Sequence, residues 1–317
     1  MKLRIVLFAA IASVFSSCFL VKRELRHQEE TMYSAQLARI MFVTQTGKHS
    51  GFEPLHPDST KPNLVLVHGY TGSSVAQYAG NVAALSDYNL YLPDLLYHGS
   101  SVGKGDYSIE AQADHLYEWL SHSNVKGKCI VVSSSYGGVV SARFVEKHPN
   151  MVSAFVIYDS PVGSYSSTYA DSLAVSLGAK NAIDLLSPYD AASVKRQARA
   201  GVYEQHYIPN FIANEIAEKH FVPGMDERKK LIEYMVTHED SLNAHHFNFQ
   251  MPVYLIWGAN DILIPMKTCK GIQKSYGIPE ARMTVFDKTG HVLNLEHPEE
   301  FTNWIKKTFP PKPVTTP

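Results

Sequence analysis

Lys128-Cys-Ile-Val-Val-Ser-Ser-Ser-Tyr-Gly-Gly138 runs as an apolar strand into three serines and then turns through paired glycines toward a helix. A serine hydroxyl is a weak nucleophile in water. An enzyme that uses one must lift it out of the surface, give it a base and aim N–H groups at the oxyanion that develops. A sharp strand-to-helix turn does the first of these. A small-x-Ser-x-Gly pattern ending on Gly137 places the hydroxyl at Ser135, because Ser134 and Ser133 would need glycine at positions 136 and 135, where Tyr136 and Ser135 stand. Taken alone, the stretch is equally a Ser/Gly-rich turn that merely ends a strand, so residues elsewhere must decide.

Upstream, Asn63-Leu-Val-Leu-Val67 is a short, continuous apolar run of the kind buried on both faces of a parallel sheet. It ends in His68-Gly-Tyr-Thr-Gly-Ser-Ser74, whose glycines allow the backbone to turn its N–H groups toward a ligand. The N–H of Tyr70 and that of Tyr136 are therefore candidate oxyanion donors, neither role using the phenol. Asn89 to Leu92 is a further strand, and Asp94 after it is expected to brace loops. Ser108 reads as the N-cap of a helix containing Ala111 to Leu120, and a second helix is expected from Val139 to His148. Val152 to Tyr158 is a strand ending at Asp159. Strands alternating with helices at this spacing indicate an α/β fold with a parallel sheet.

The alternation breaks between residues 163 and 250, where helical patterns follow one another over Ala170–Gly178, Ala191–Ala200, Ile212–His220 and Asp226–Val236. A helical cap over a sheet-edge pocket is expected, with Tyr165, Tyr169, Tyr203, Tyr207 and Phe211 as candidate pocket walls. The sheet resumes with Pro252 to Trp257, followed by Asp261 just past a strand end, and Thr284 to Phe286 delivers His291 directly after a loop glycine. Individually, Asp261 is an ordinary turn former and His291 an ordinary cap. Ser135, Asp261 and His291 each following a separate predicted strand make coincidence a poor explanation.

Composition excludes other classes. The chain has 317 residues, 45% hydrophobic and 19% charged, with 29 basic against 30 acidic residues and no long run of either sign. That is a globular balance that offers no surface for tracking a phosphate backbone, so nucleic acid is not an expected partner. His245-His246 has no third ligand spaced nearby, and neither a metal nor a cofactor is expected. Lys2 and Arg4 precede an apolar run from Ile5 to Phe15 and then Ser16-Ser17-Cys18, the order of a secretory signal. Three readings of residues 1–21 stay open: a cleaved lipoprotein lipidated at Cys18, an uncleaved anchor reaching Val21, which at about 17 residues is at the short limit for a span, and a free secreted chain. Envelope localisation with membrane association through the N-terminus is the leading expectation. Cys129 and Cys269 are expected to pack rather than to bridge.

Within residues 22–60, Met32, Tyr33, Leu37, Ile40 and Met41 recur at roughly helical spacing and predict an amphipathic helix, with loops and short edge strands from Gly47 to Lys61. The proline-rich end, residues 310–317, is expected to be a disordered tail.

With His68-Gly69 and Gly72, Pro93-Asp94 with His98-Gly99, Ser135 with Gly137-Gly138, Trp257-Gly258 with Asp261 and Pro265, and Gly290-His291 in this order, the chain resembles the α/β-hydrolase family from Lys61 to Phe309. The resemblance implies an α/β-hydrolase fold, a mostly parallel eight-stranded sheet flanked by helices, formed by residues 61–162 and 251–309 with the cap at 163–250 inserted. It also implies Ser135 as nucleophile, His291 as base and acid, and Asp261 as the residue orienting the imidazole. Two positions depart from the pattern. Ser133 stands where the family usually has glycine, and Asp159 occupies a place from which some members draw their acid, so it stands as an alternative to Asp261. A serine nucleophile argues against epoxide and haloalkane hydrolysis. A small acyl ester is the expected substrate, with acyl transfer, peptide, thioester or C–C cleavage, or a non-catalytic binding protein, as alternatives.

Overall fold

The computed structural model describes residues 18–311, so most of the expected signal or anchor segment and most of the tail lie outside the described residues. The sheet contains β1 (Leu37–Val43), β2 (Gly47–Pro54), β3 (Asn63–Val67), β4 (Asn89–Pro93), β5 (Val102–Gly103), β6 (Cys129–Ser134), β7 (Val152–Tyr158), β8 (Val253–Gly258) and β9 (Met283–Phe286). Eight strands run in the order β1-β2-β4-β3-β6-β7-β8-β9, and the two-residue β5 pairs with β2 off this path. From β4 to β9 every pairing is parallel, while β1, β2 and β5 pair antiparallel. The expected eight-stranded, mostly parallel sheet is present with that short addition.

Strand alternation sends successive residues into two cores. Val65, Val67, Val131, Phe155, Ile157, Leu255 and Trp257 face one, and Leu64, Leu66, Ile130, Val132, Val156 and Ile256 face the other. The first core is covered by α3 (Ile109–His122), α4 (Ser135–Lys147) and α11 (Met266–Ser275). The second is covered by α1 (Cys18–Ser34), α2 (Ser74–Val82), α12 (Leu293–Glu296) and α13 (Pro298–Thr308). Because both faces are covered, β3 is buried at all five positions, as its unbroken apolar run requires. Ser108 caps α3 by accepting the Ala111 N–H at 3.1 Å, as expected. Cys129 and Cys269 are both buried free thiols, and burial pushes each up to about 12.

Three expectations need correction. The helix predicted through Met41 ends at Ser34: Gln36 takes a left-handed φ of +60°, and Leu37 to Val43 pairs in register with Pro54 to Lys48 as strand β1. Leu37, Ile40 and Met41 fit a helical spacing on paper, but a partner strand with free backbone groups decided the conformation. The expected short edge strands include the eight-residue β2, largely buried because β1 and β4 flank it on both sides. The helix expected from Val139 starts at Ser135, four residues earlier.

Between β7 and β8 the chain is helical: α5 (Ser167–Ser176), α6 (Ala182–Leu186), α7 (Ala191–Gly201), α8 (Asn210–Ile216), α9 (Met225–Thr237) and α10 (Glu239–Ala244). A π-helical stretch, Ala217–Phe221, follows α8. This insertion is tied to the loops at the C-terminal ends of the strands. Tyr169 donates to Ile262 O at 2.7 Å, His220 Nε2 bonds Thr71 O at 3.1 Å, and Gly201 O accepts the His291 N–H at 2.9 Å.

Candidate active site

Ser135 begins α4 directly after β6 with φ +49°, a left-handed conformation that costs a β-carbon residue energy and persists only when its surroundings over-determine it. Those surroundings are tight. A β-carbon on Gly137 would lie 2.2 Å from the carbonyl oxygen of His68 at the end of β3, so only glycine lets α4 approach there. Ser160, just past β7, donates to the Ser135 carbonyl at 2.5 Å. Ser133, the residue that departs from the family pattern, donates to Ser141 Oγ at 2.7 Å, so its hydroxyl is satisfied inside the elbow.

The three residues predicted to act together meet in space. Asp261 follows β8, and its Oδ1 accepts the N–H groups of Leu263 and Ile264 at 2.8 and 2.9 Å. Its Oδ2 lies 2.8 Å from His291 Nδ1. Across the ring, His291 Nε2 lies 2.9 Å from Ser135 Oγ. A carboxylate can only accept, so the imidazole proton sits on Nδ1 and Nε2 faces the serine hydroxyl as an acceptor.

Asp159, the alternative acid, does not reach the histidine. Its Oδ1 accepts the Gly258 N–H at 2.9 Å, tying β7 to β8, and its Oδ2 has no partner among the described residues. Burial first, and then the charge of Asp261, push its carboxyl well above the usual carboxylate range. Asp159 is thus the carboxyl whose ionisation the fold resists, and Asp261 is the one within hydrogen-bond distance of His291.

The two candidate oxyanion residues flank the serine. Tyr136 is the second residue of α4, in the first turn, where N–H groups have no intrahelical acceptor. Tyr70 follows Gly69, whose added β-carbon would stand 3.2 Å from Ser135 Cβ, so the loop after β3 lies against the elbow. His68 holds this loop. Its Nε2 accepts the Leu95 N–H at 3.0 Å, so the proton is on Nδ1 and donates to Gly69 O at 2.8 Å. Burial keeps His68 below its ordinary pKa, which suits this neutral role. Asp94 braces the neighbouring loops, accepting Ser74 N–H and Oγ at 2.9 and 2.7 Å and Ser50 Oγ at 2.6 Å. Both phenols are buried, which pushes Tyr70 up to about 12 and Tyr136 well above its ordinary value.

One residue that holds the histidine loop, Glu296, carries no motif mark. Glu296 accepts the Gly290 N–H at 2.8 Å and the Tyr203 N–H at 2.7 Å, bridging that loop to the insertion. Gly258 abuts the same loop, since an added β-carbon would meet Gly290 O at 2.0 Å. Of the expected pocket walls, Tyr165 lines a cavity of about 170 Å³ with Val139, Pro161, Tyr234 and Phe247, and the lining of that cavity includes none of Ser135, Asp261 and His291. Tyr207 is 86% and Phe211 53% exposed, so these two face solvent, and Tyr169 and Tyr203 are also exposed. Helical patterning located the segment without showing which face turns inward. His245 bonds Glu146 at 2.8 Å and His246 stacks on Tyr276.

The family model for the alpha/beta hydrolase fold matches residues 62–298. The chain belongs to this family. Among curated relatives, a pimeloyl-[acyl-carrier protein] methyl ester esterase of Aeromonas hydrophila is 24% identical, covering 77% of this chain and 94% of its own. Among solved structures, a candidate lipase from Acinetobacter baumannii AYE superposes with a TM-score of 0.77 at 18% identity, covering 94% of this chain and 97% of its own. A 2-hydroxy-6-oxo-6-phenylhexa-2,4-dienoate hydrolase from Rhodococcus sp. strain RHA1 gives 0.71 at 18% identity, covering 86% and 98%. The two structural likenesses establish the common fold.

Proposed function

We propose that this alpha/beta hydrolase cleaves carboxylic esters through an acyl-serine intermediate. The observation that carries the proposal is the hydrogen-bonded chain from Asp261 through His291 to Ser135, at 2.8 and 2.9 Å, with the serine raised on a strained elbow. His291 Nε2 takes the Ser135 proton as Oγ attacks the ester carbonyl carbon, and the Tyr70 and Tyr136 N–H groups receive the oxyanion. As the tetrahedral intermediate collapses, the C–O bond to the alcohol breaks and His291 returns the proton to the leaving alkoxide. Water then repeats the sequence on the acyl-serine, with His291 again as base, and the carboxylic acid leaves. Asp261 fixes the tautomer and stabilises the imidazolium. Residues 163–250 act as a cap that excludes water, consistent with their ties to Thr71, Ile262 and His291.

Labelling with a fluorophosphonate probe and turnover of a chromogenic acyl-ester series test this. Native protein should label and hydrolyse esters, Ser135→Ala and His291→Ala should do neither, and Asp261→Asn should lose about 10³- to 10⁴-fold in kcat/KM. A folded native chain that neither labels nor cleaves any ester sinks the proposal in favour of a binding protein on the same fold. The relatives include C–C hydrolases, so a vinylogous keto acid belongs in the substrate series.

The order Lys2, Arg4, apolar run, Ser16-Ser17-Cys18 supports an exported chain held at the envelope membrane. Among the described residues no helix is long and apolar enough to cross a membrane. Mass spectrometry of the mature N-terminus separates lipidated Cys18 from an intact Met1.

A further inference from the structure

Gln77, on α2, sends its side chain into the end of β3. Its Oε1 accepts the Gly69 N–H at 2.8 Å, and its Nε2 donates to Tyr158 Oη at 2.7 Å. The phenols of Tyr158 and Tyr78 lie 2.9 Å apart, and Tyr78 Oη lies 2.9 Å from the Val67 carbonyl oxygen. The direction of every bond in this chain is forced from its ends. Val67 O can only accept, so the Tyr78 proton goes there. Tyr78 Oη then has lone pairs alone to offer, so at 2.9 Å it accepts the Tyr158 proton; the Tyr158 hydroxyl also neighbours Asn294 Oδ1 at 3.5 Å and the Ser134 hydroxyl. Tyr158 Oη in turn accepts from Gln77 Nε2, which leaves Oε1 facing the Gly69 N–H, itself only a donor. Both phenols are fully buried, and burial pushes each above its ordinary range, so both protons stay in place.

The relay therefore starts and ends on one short segment, Val67 and Gly69, two residues apart. It clamps the peptide before the one whose N–H belongs to Tyr70, while His68 holds the Gly69 carbonyl from the other side. The Gln77 main-chain carbonyl also accepts Asn294 Nδ2 at 2.7 Å, and Asn294 lies three residues beyond His291. The same residue thus joins the Tyr70 loop to the histidine loop.

We propose that Gln77 is a positioning residue for the hydrolytic reaction, with the Val67–Tyr78–Tyr158–Gln77 relay keeping the Tyr70 N–H in line with Ser135. This rests on Tyr70 acting as an oxyanion donor in the ester hydrolysis proposed above. A donor displaced by a fraction of an ångström still lets substrate bind but stabilises the oxyanion less, so the loss belongs in kcat.

The test compares wild type, Gln77→Met, Gln77→Glu and Tyr158→Phe in the full chain, using a chromogenic acyl ester with kcat normalised to fluorophosphonate-titrated sites. Gln77→Met removes the acceptor and should lower kcat about 10- to 100-fold, with KM within about twofold. Gln77→Glu keeps an oxygen toward Gly69 and should retain kcat within about threefold. Tyr158→Phe conserves volume but frees the amide to turn, and should lose about tenfold, so the relay stays testable if the methionine variant folds poorly. Unchanged kcat per titrated site in both Gln77→Met and Tyr158→Phe overturns the relay while ester hydrolysis stands. Equal impairment of the Met and Glu variants also overturns it, by showing a need for shape alone. A wild type that neither labels nor turns over removes the esterase proposal and the relay's role with it.

Discussion

The serine and histidine sides of the site are held by different means. Ser135 is set within the central sheet: Gly137 packs on His68 O, Ser160 bonds the Ser135 carbonyl, and Ser133 is tied to Ser141 inside the elbow. All of these groups lie at the ends of β3, β6 and β7 or in the helix that follows. His291 follows β9, a four-residue edge strand with one buried position, and its loop, which packs on Gly258 and bonds the Asn260 N–H in the core, also leans on Gly201, Tyr203 and Glu296. Two of those three belong to the insertion. The nucleophile is thus built into the rigid part of the fold, and the base is built into a joint between core and insertion, so a movement of the insertion would reach the base first.

The sharpest challenge to this contrast is Gly137→Ala. One methyl group 2.2 Å from a backbone carbonyl has no flexible neighbour to displace, so β3 and the elbow must separate. We expect a loss of about 3 kcal/mol in urea unfolding, at the upper end for overpacking, and at least about a tenfold slower fluorophosphonate labelling. Wild-type behaviour in both would show the serine side to be as adaptable as the other.

Glu296→Gln probes the histidine side. The carboxylate accepts two N–H groups through two oxygens; an amide offers one oxygen and turns an NH2 toward the other donor. We expect about a tenfold fall in kcat, a stability loss of about 1–2 kcal/mol, and little change in the exchange protection of the elbow amides. Hydrogen exchange that loosens the Ser135 elbow as much as the His291 loop would break the distinction between the two sides.

This contrast also explains what was legible in the sequence. The elbow announces itself because its constraints are local: a strand, a serine and glycines within eleven residues dictate the geometry. Asp261 and His291 could be found because each lies within five residues of a strand end. Glu296 and Gln77 carry no comparable mark. Their partners, Tyr203 and Tyr158, lie 93 and 81 residues away in the chain, and a lone Glu or Gln on a helix reads as a solvated face. The same limit misled the reading of residues 35–43, where a helical spacing gave way to pairing with β2. Tyr207 and Phe211 failed as pocket walls because aromatic content says nothing about which side of an insertion faces the core.

The smallest expected effect on activity is that of Asp159→Asn, and it separates the two carboxyl groups. Asparagine copies the shape of the neutral acid and keeps an oxygen toward the Gly258 N–H, so kcat should stay within about threefold, against the 10³- to 10⁴-fold loss for Asp261→Asn. Stability should respond differently. In the unfolded chain Asp159 ionises near the ordinary value of about 4, whereas burial and the Asp261 charge raise it in the fold. A raised carboxyl favours the folded state fully below about pH 4, and that contribution is lost as pH rises through the folded value, because the unfolded chain gains a charge the fold resists. Asparagine has no charge to gain. The variant should therefore match wild type in acid and grow more stable relative to it from pH 4 toward pH 8, read as a widening gap in urea midpoints. If Asp159→Asn instead removes activity by about a thousandfold, Asp159 and not Asp261 is the acid that orients His291.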